Sequence, residues 1–251
     1  MIIRPWDRKE KGGAGMRAIF KRELQAYFYT AYAYVYMLVF LALGSVFFAV
    51  GNLAARSGDL TGFLWNMGYL WMLLTPILTM NVYAGERRSR TDQLLLTSPV
   101  SLRAIVLGKY LAGCAVLGLT VALCGFYALI VALYGRLYPA EALCGLLGFL
   151  LQGCAFLALD LFISCFARSQ MTAAVAGVGV NLLVWLSDVL ADAVTVRWIS
   201  DSLNFISLYQ RFAPFARGQL SLSNVLYNLL FMGVMLFLSV RVLDARRWSE
   251  A

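Results

Sequence analysis

Histidine is absent from the 251-residue chain, and charged residues are scarce. The lack of histidine excludes histidine-ligated haem and most catalytic zinc sites. It also excludes serine–histidine and cysteine–histidine nucleophile pairs. Charged residues make up only 14% of the chain and hydrophobic residues 61%. Because an average soluble domain is about 45–50% apolar and about 25% charged, this composition indicates an integral membrane protein.

Loop cysteines are also missing. The five cysteines all lie in apolar runs, and none forms a C-x-x-C pair. An odd number of cysteines without loop positions predicts no disulfide framework, and each is interpreted as a small buried hydrophobe.

Six apolar stretches are long enough for the about 20 residues that a spanning helix needs. They cover residues 24–55, 60–85, 110–135, 142–167, 169–187 and 218–240. Pro76 predicts a kink in the second stretch, and Asp160 interrupts the fourth. The sequence thus predicts an all-α, polytopic membrane protein with six transmembrane helices and both termini on one side.

The distribution of Lys and Arg sets the predicted orientation. Sixteen of these residues lie on the side of the termini and five on the other. By the positive-inside rule, both termini are expected in the cytoplasm. Topology therefore accounts for the net charge of +8, and we expect no nucleic-acid partner.

The N-terminal region divides at Met16. Residues 1–15 are polar and contain glycine, which predicts a disordered cytoplasmic extension, with Met16 as an alternative start. Residues 16–251 are expected to form one transmembrane domain of six helices. In residues 16–28, apolar side chains gather on one half of a helix, although Glu23 falls on that half. This pattern predicts an amphipathic interfacial helix. A plain basic flank of the first span is the alternative.

The connection after the second stretch, residues 85–101, reads GERRSRTDQLLLTSPVS. Thr91 and Asp92 are candidate helix caps, and Leu94, Leu95 and Leu96 form a ridge. Ser98-Pro99 ends the helix because the residue before proline disfavours the α region. Exposed leucines outside a membrane indicate a protein partner. The alternative is a linker whose leucines dip into the membrane interface.

Three segments together resemble one family. Residues 86–100, with the pattern Glu-Arg-x-x-x-Thr-x-x-x-Leu-Leu-x-Ser-Pro-Val, resemble the signature of ABC-2 type transporter permeases. Residues 205–248 resemble the C-terminal part of the gliding-motility branch of those permeases. Residues 21–28 are similar to the family's N-terminal helix.

This resemblance implies a non-catalytic permease subunit of an ATP-driven exporter. A separate ATP-binding cassette subunit would bind ATP and magnesium, and this chain would hold no cofactor. That agrees with the absence of a phosphate-binding loop, since Arg103 stands where the motif before Gly108-Lys109 needs glycine. Residues 86–100 would be the cytoplasmic coupling helix. Its candidate coupling residues are Glu86, Arg87, Arg90, Thr91, Leu94, Leu95, Ser98 and Pro99.

Four residues are candidates for a transport pathway or a helix interface. Asp160 departs from the family pattern, in which a small or apolar residue is expected, and a carboxyl group inside a membrane is a candidate functional site. It could pair with Arg168, line a pathway or simply be satisfied near the helix end. Ala173 and Gly177 would allow close helix packing, and Asn181 could hydrogen-bond across that contact. The resemblance puts a dimer interface at the first and fifth helices; packing within the chain is the alternative.

The outer connection, residues 188–217, is rich in aromatic side chains. The resemblance implies one or two short re-entrant or interfacial helices here, between helices five and six, at the outer mouth of the pathway. An aromatic anchor at the membrane interface is the alternative.

Two functions follow from these observations. The first is an exporter permease embedded in the lipid bilayer with a second permease chain, identical or related, and two ATPase subunits. The second is a membrane scaffold that docks an ATPase and an extracytoplasmic partner without moving a solute. The sparse polar residues inside the membrane suit a lipidic cargo or no cargo.

Overall fold

The computed structural model describes residues 5–85, 100–134, 138–193, 198 and 207–249, and this part of the chain is helical without strands. We number the described helices in chain order. They are α1 Pro5–Tyr29, α2 Tyr32–Phe48, α3 Thr61–Thr79, α4 Leu102–Tyr134, α5 Pro139–Ser164, α6 Gln170–Ala193, α7 Leu208–Ala216 and α8 Leu222–Ser249.

Among the described residues, five segments are long and apolar enough to cross a membrane. They are Tyr32–Ala54, Leu102–Leu133, Pro139–Ser164, Gln170–Ala191 and Leu222–Arg246. Helix α3, which corresponds to the second predicted span, is not among the five. It is shorter, with 19 residues, and polar side chains such as Asn66 and Thr75 dilute its apolar character.

The packing of α3 explains how it accommodates its buried polar residues, Thr75 and Thr79. It contacts α2, α5, α6 and α7, and most of its side chains are buried. A helix surrounded by other helices can place polar groups against hydrogen-bonding partners instead of against lipid.

Helix α1 starts earlier than expected. It begins at Pro5, whereas the sequence analysis expected order from Met16. Gly15 lies against Val100, and a Cβ atom on Gly15 would be 3.0 Å from Val100 Cγ1. Glycine at position 15 therefore permits the close approach of these two segments.

The turn between α2 and α3 is held by hydrogen bonds. Helix α2 continues into a π-helical segment, Ala49–Ala54. Asn52 Nδ2 then donates to Ser57 O at 3.1 Å and to Asp59 O at 2.8 Å. Asp59 Oδ1 accepts from the Thr61 amide at 2.8 Å and so caps the start of α3. The short turn between α2 and α3 is therefore closed by its own polar residues.

Helix α5 lies in the core and contacts α3, α4, α7 and α8. Glycines let its neighbours approach, since a Cβ atom on Gly153 would lie 2.9 Å from Trp71 Cε2 and one on Gly148 would overlap the Phe215 side chain. The Trp71 ring packs between Phe40 and Phe149, with centroid distances of 4.6 and 4.7 Å. These aromatic contacts join α2, α3 and α5.

Helix α7 is short and buried on one side. Ser207 caps it, because its Oγ accepts from the Gln210 amide at 2.9 Å. Gly218, with φ of +75°, ends it in the left-handed region that favours glycine. Tyr209, Phe212 and Phe215 are buried against the rest of the bundle. Part of the outer connection thus forms a short helix, whose re-entrant or interfacial character stays a prediction. Residues 194–197 and 199–206 lie outside the described residues.

Replacing Gly148 by alanine tests this packing. We expect Gly148→Ala to lower the free energy of unfolding by about 1–3 kcal/mol, because the added methyl group forces Phe215 and α7 outward. Thermal unfolding in detergent measures the change. Gly118→Ala in α4 is the control, since a Cβ atom there meets nothing within 4 Å. An unchanged melting temperature for Gly148→Ala would contradict the packing.

Candidate functional site

The predicted coupling residues all belong to one segment, residues 86–99. Glu86, Arg87, Arg90, Thr91, Leu94, Leu95, Ser98 and Pro99 lie outside the described residues, between Gly85 and Val100. Their roles stay predictions. The structure does describe the two ends of this segment and the contacts that hold them.

A buried lysine, Lys109, lies near the start of α4, the helix that follows this segment in the chain. The Lys109 side chain is 0% exposed. Its Nζ donates to Glu23 Oε1 at 3.2 Å and to Val82 O at 3.0 Å, and it lies 5.3 Å from the centroid of the Tyr83 ring. One cation therefore joins α1, α4 and the chain just beyond α3, on both sides of residues 86–99.

This contact explains why Glu23 lies on the apolar half of α1. That half faces α4, where the carboxylate meets Lys109, and Arg22 Nη2 also contacts Glu23 Oε1 at 2.6 Å. A buried charge is tolerated only when it is paired and hydrogen-bonded. The sequence analysis did not single out Lys109 as a partner, although a carboxylate on an apolar helix face was the signal for a buried cation.

Two further contacts fix α1 in place. Tyr27 Oη donates to Leu78 O at 3.2 Å. Burial, with a smaller effect of the Glu23 charge, raises the pKa of Tyr27 well above its usual range, so the phenol remains a donor. At Gly108 the helices α1 and α4 cross closely, because a Cβ atom there would lie 2.9 Å from Ile19 Cγ2. Helix α1 is therefore docked on the bundle along its described part.

The other end of residues 86–99 is tied to α6. Gln170 Nε2, in the first turn of α6, donates to Asn81 Oδ1 at 2.6 Å, just beyond α3. A movement of the chain at residues 81–85 therefore acts directly on α6, and a movement at 100–109 acts on α1. We call the contacts of Glu23, Lys109, Val82, Asn81 and Gln170 the junction.

Asp160 lies in the interior of the bundle, on the spanning segment Pro139–Ser164, and is 1% exposed. Thr75 Oγ1 of α3 lies 2.5 Å from Asp160 Oδ2. Asn181 Nδ2 of α6 lies 3.1 Å from Oδ1 and 3.3 Å from Oδ2. Asp160 thus joins α3, α5 and α6, and its hydrogen-bonding partners among the described residues are Thr75 and Asn181, not Arg168.

The surroundings of Asp160 favour the neutral acid. Thr75 Oγ1 lies within donating distance of Asp160 Oδ2 and, at 2.7 Å, of the carbonyl oxygen of Trp71. A hydroxyl has one proton, so Thr75 donates to one of these oxygens at a time, and when it donates to Trp71 it can accept from a protonated Asp160. In the described part of the chain no Lys or Arg contacts this carboxyl group, and an unpaired carboxylate inside a membrane is far more costly than the acid.

The small residues of α6 serve this same contact. A Cβ atom on Gly177 would lie 2.8 Å from Pro76 Cβ and 3.1 Å from Asp160 Oδ1. Ala173 is buried beside Ala84 and Ala167. Asn181 Nδ2 also donates to Met72 O at 3.1 Å. Contacts within the chain therefore account for Ala173, Gly177 and Asn181, which is the alternative that the sequence left open.

The opposite end of the bundle carries a second polar group on α7. The Arg211 guanidinium stacks 4.7 Å from the centroid of the Tyr227 ring, and its Nη1 donates to Asn224 Oδ1 at 3.4 Å. On the same helix the Tyr209 ring stacks on Tyr69, with centroids 5.2 Å apart. These contacts join α7 to α3 and α8.

No reaction centre emerges from the geometry of the described residues. Among them, no group of three His, Cys, Asp or Glu side chains could hold a metal ion. Asp160 is surrounded by packed side chains and is 1% exposed, so it is closed to solvent. What the arrangement can do is link helix movements to one another, at the junction and at Asp160.

Substitution of Asp160 separates its charge from its hydrogen bonds. We expect Asp160→Asn to keep the free energy of unfolding within about 1 kcal/mol, because the amide is neutral and can both donate and accept. Asp160→Leu should lower it by about 1–3 kcal/mol, since Thr75 and Asn181 then lose a partner. Thermal unfolding in detergent measures both. A fully stable Asp160→Leu would contradict this account, and an Asp160→Asn that inserts normally but loses function would show a proton- or substrate-linked role.

The junction makes a second prediction. Lys109→Met should lower the free energy of unfolding by about 2 kcal/mol, because Glu23 is left without its main partner in a largely buried place. Lys21→Met, on the exposed side of the same α1, is the control. Adding Glu23→Gln to Lys109→Met should restore part of the loss. Simple additivity of the two substitutions in this double-mutant cycle would show that they do not interact.

Comparison with known families agrees with this arrangement. A family model described as "ABC-2 family transporter protein" matches residues 67–242, which is more than half of the chain. The matched range runs from α3 to α8 and includes Asp160 and Lys109. No curated protein matches the chain. The match does not test the gliding-motility branch, which stays a prediction. The chain belongs to the ABC-2 family of transporter proteins, the membrane permeases of ABC transporters.

Proposed function

We propose that this chain is the permease subunit of an ATP-driven exporter in a bacterial cytoplasmic membrane. A separate ATP-binding cassette subunit would hydrolyse ATP and act on residues 86–99. The observation that carries the proposal is the junction, because the Lys109 contact to Glu23 and Val82 ties both sides of that segment to α1. A segment held in this way passes a push from below to several helices at once.

In this proposal α3 is the sixth membrane-spanning helix. Its 19 residues would extend about 28 Å at 1.5 Å per residue, close to the about 30 Å of the hydrocarbon core. Its neighbours α2, α5, α6 and α7 bury Thr75 and Thr79 away from lipid. Six spans put both termini on the same side, and the excess of Lys and Arg there supports the cytoplasm.

The proposed movement starts at the ATPase. Leu94 and Leu95 would fill a groove on the ATPase, and Glu86, Arg87 and Arg90 would set its electrostatic register. Closure of the ATPases would displace residues 86–99 and tilt α3 and α4. The Asn81–Gln170 and Asp160–Asn181 hydrogen bonds would carry that tilt to α6, giving alternating access.

A second permease chain, identical or related, would complete the pathway. Because Ala173 and Gly177 face the inside of the chain, the partner would meet the outer face of α6. That face carries large apolar side chains, such as Met171 and Val175, which are 72% and 68% exposed. Helix α2, the other helix of the interface that the resemblance implies, also exposes apolar side chains.

One observation favours the scaffold alternative. Asp160, Thr75 and Asn181 are each at most 1% exposed and hydrogen-bond one another in a packed core. They do not line an open channel. This arrangement suits a lipidic cargo that moves along the outside of the helices, or a subunit that anchors an ATPase and an extracytoplasmic partner without transporting a solute.

The coupling segment provides the test. We expect Leu94→Asp and Leu95→Asp to abolish co-purification with the ATPase and stimulation of its activity, because a carboxylate in an apolar interface pocket costs about 2 kcal/mol or more. Affinity purification in mild detergent, followed by ATPase assays, measures both. Leu220→Asp is the control, since Leu220 is 67% exposed in the turn before α8. Unchanged association and ATPase activity in both variants would contradict the coupling role.

A further inference from the structure

A groove runs between the start of α4 and the end of α8. Its volume is about 680 Å³, within the about 300–1,000 Å³ that is usual for ligand pockets. Apolar side chains line one part of it, among them Leu107, Phe237 and Val240, whereas Arg103, Arg241 and Asp244 line the other. The groove therefore has an apolar wall and a charged end.

The charged end lies where two spanning segments leave the membrane. The segment Leu102–Leu133 begins one residue before Arg103, and Leu222–Arg246 ends soon after Arg241 and Asp244. Side chains at this depth face the lipid head groups, whereas Leu107 and Phe237 lie deeper, at the level of the acyl chains. Leu107 and Phe237 are 38% and 54% exposed, so this wall is open to lipid.

The charged side chains of the groove are available to a ligand. In the part of the chain that the structure describes, the side chains of Arg103 and Asp244 make no hydrogen bond or ion pair. The Arg241 guanidinium rests 5.2 Å from the centroid of the Phe237 ring, a contact that leaves its N–H groups free to donate at the ring edge. Two arginines and one aspartate give the lining a net charge of +1.

We propose that this groove binds one phospholipid with a single negative charge and hydroxyl groups in its head group, as in phosphatidylglycerol. Arg103 and Arg241 would donate to the phosphate, for which the guanidinium fork is well suited. Asp244 would accept from a head-group hydroxyl. The acyl chains would cover Leu107, Phe237 and Val240, which a free phosphate or a soluble anion could not do.

Asp244 distinguishes this lipid from the other common charge patterns. A zwitterionic choline lipid offers Asp244 no hydrogen-bond donor and leaves the net positive charge of the groove unmatched. An ethanolamine lipid would place its ammonium on Asp244, so its binding would depend on that carboxylate. A glycerol head group has neutral donors, so removal of the Asp244 charge should leave its binding nearly unchanged.

Native mass spectrometry of the full chain, with lipids of identical acyl chains, tests the proposal. We expect phosphatidylglycerol to bind about tenfold tighter than phosphatidylcholine, given the typical contribution of each arginine near an anionic head group. Arg103→Gln combined with Arg241→Gln should remove this preference. Arg17→Gln combined with Lys21→Gln is the control, because it removes the same charge from exposed positions of α1. Asp244→Asn should keep phosphatidylglycerol binding within about twofold.

Several results would overturn the assignment. A preference for phosphatidylglycerol that survives the Arg103 and Arg241 substitutions would place the lipid elsewhere. An equal loss in the Arg17 and Lys21 control would reduce the effect to net charge. A preference for phosphatidylethanolamine that disappears in Asp244→Asn would assign the groove to a zwitterionic lipid. If the double variant does not fold, Arg103→Gln and Arg241→Gln alone, each expected to weaken the preference, decide between these outcomes.

Discussion

The hydrogen bonds of Asp160 are the interaction on which the interior of this protein depends. No water is available at that depth, so a polar group must find its partners on neighbouring helices. Thr75 and Asn181 supply them, and Gly177 lets α6 come close enough. The cost of leaving Asp160 unsatisfied therefore fixes the mutual positions of α3, α5 and α6, and it allows α3 to carry polar residues in a bundle that is otherwise apolar.

The same constraint operates at the junction, where the buried groups are an ion pair of Lys109 and Glu23. Lys109 is buried, and its Nζ contacts both Glu23 and Val82. The junction thus ties the ends of residues 86–99 to α1 and α6, and Asp160 joins α3, α5 and α6 deeper in the bundle. Helices joined by a few strong contacts move together, which is what a permease needs if an ATPase outside the membrane is to change its shape.

At the far end, aromatic packing replaces hydrogen bonding. Tyr209, Phe212 and Phe215 of α7 are buried, and Gly148 of α5 leaves space for Phe215. Helix α7 is therefore part of the core and not a loose connection, so movements of α3 and α5 reach it directly. The groove at Arg103 and Arg241 extends the range of contacts outward, to the lipids around the protein.

The sequence by itself determined the helical class, the membrane setting and the family, because the hydrophobic runs are long and three motifs occur in the order and spacing of the family. It identified Asp160 and Asn181 singly, since any polar residue in an apolar run stands out. Only the tertiary structure decided that these two meet, that Glu23 pairs with Lys109, and that Ala173 and Gly177 pack inside the chain. Such pairings join residues far apart in the chain, and which helix faces meet depends on the packing of all the helices together. For the same reason, the composition of α3 did not indicate that this helix would pack against α2, α5, α6 and α7.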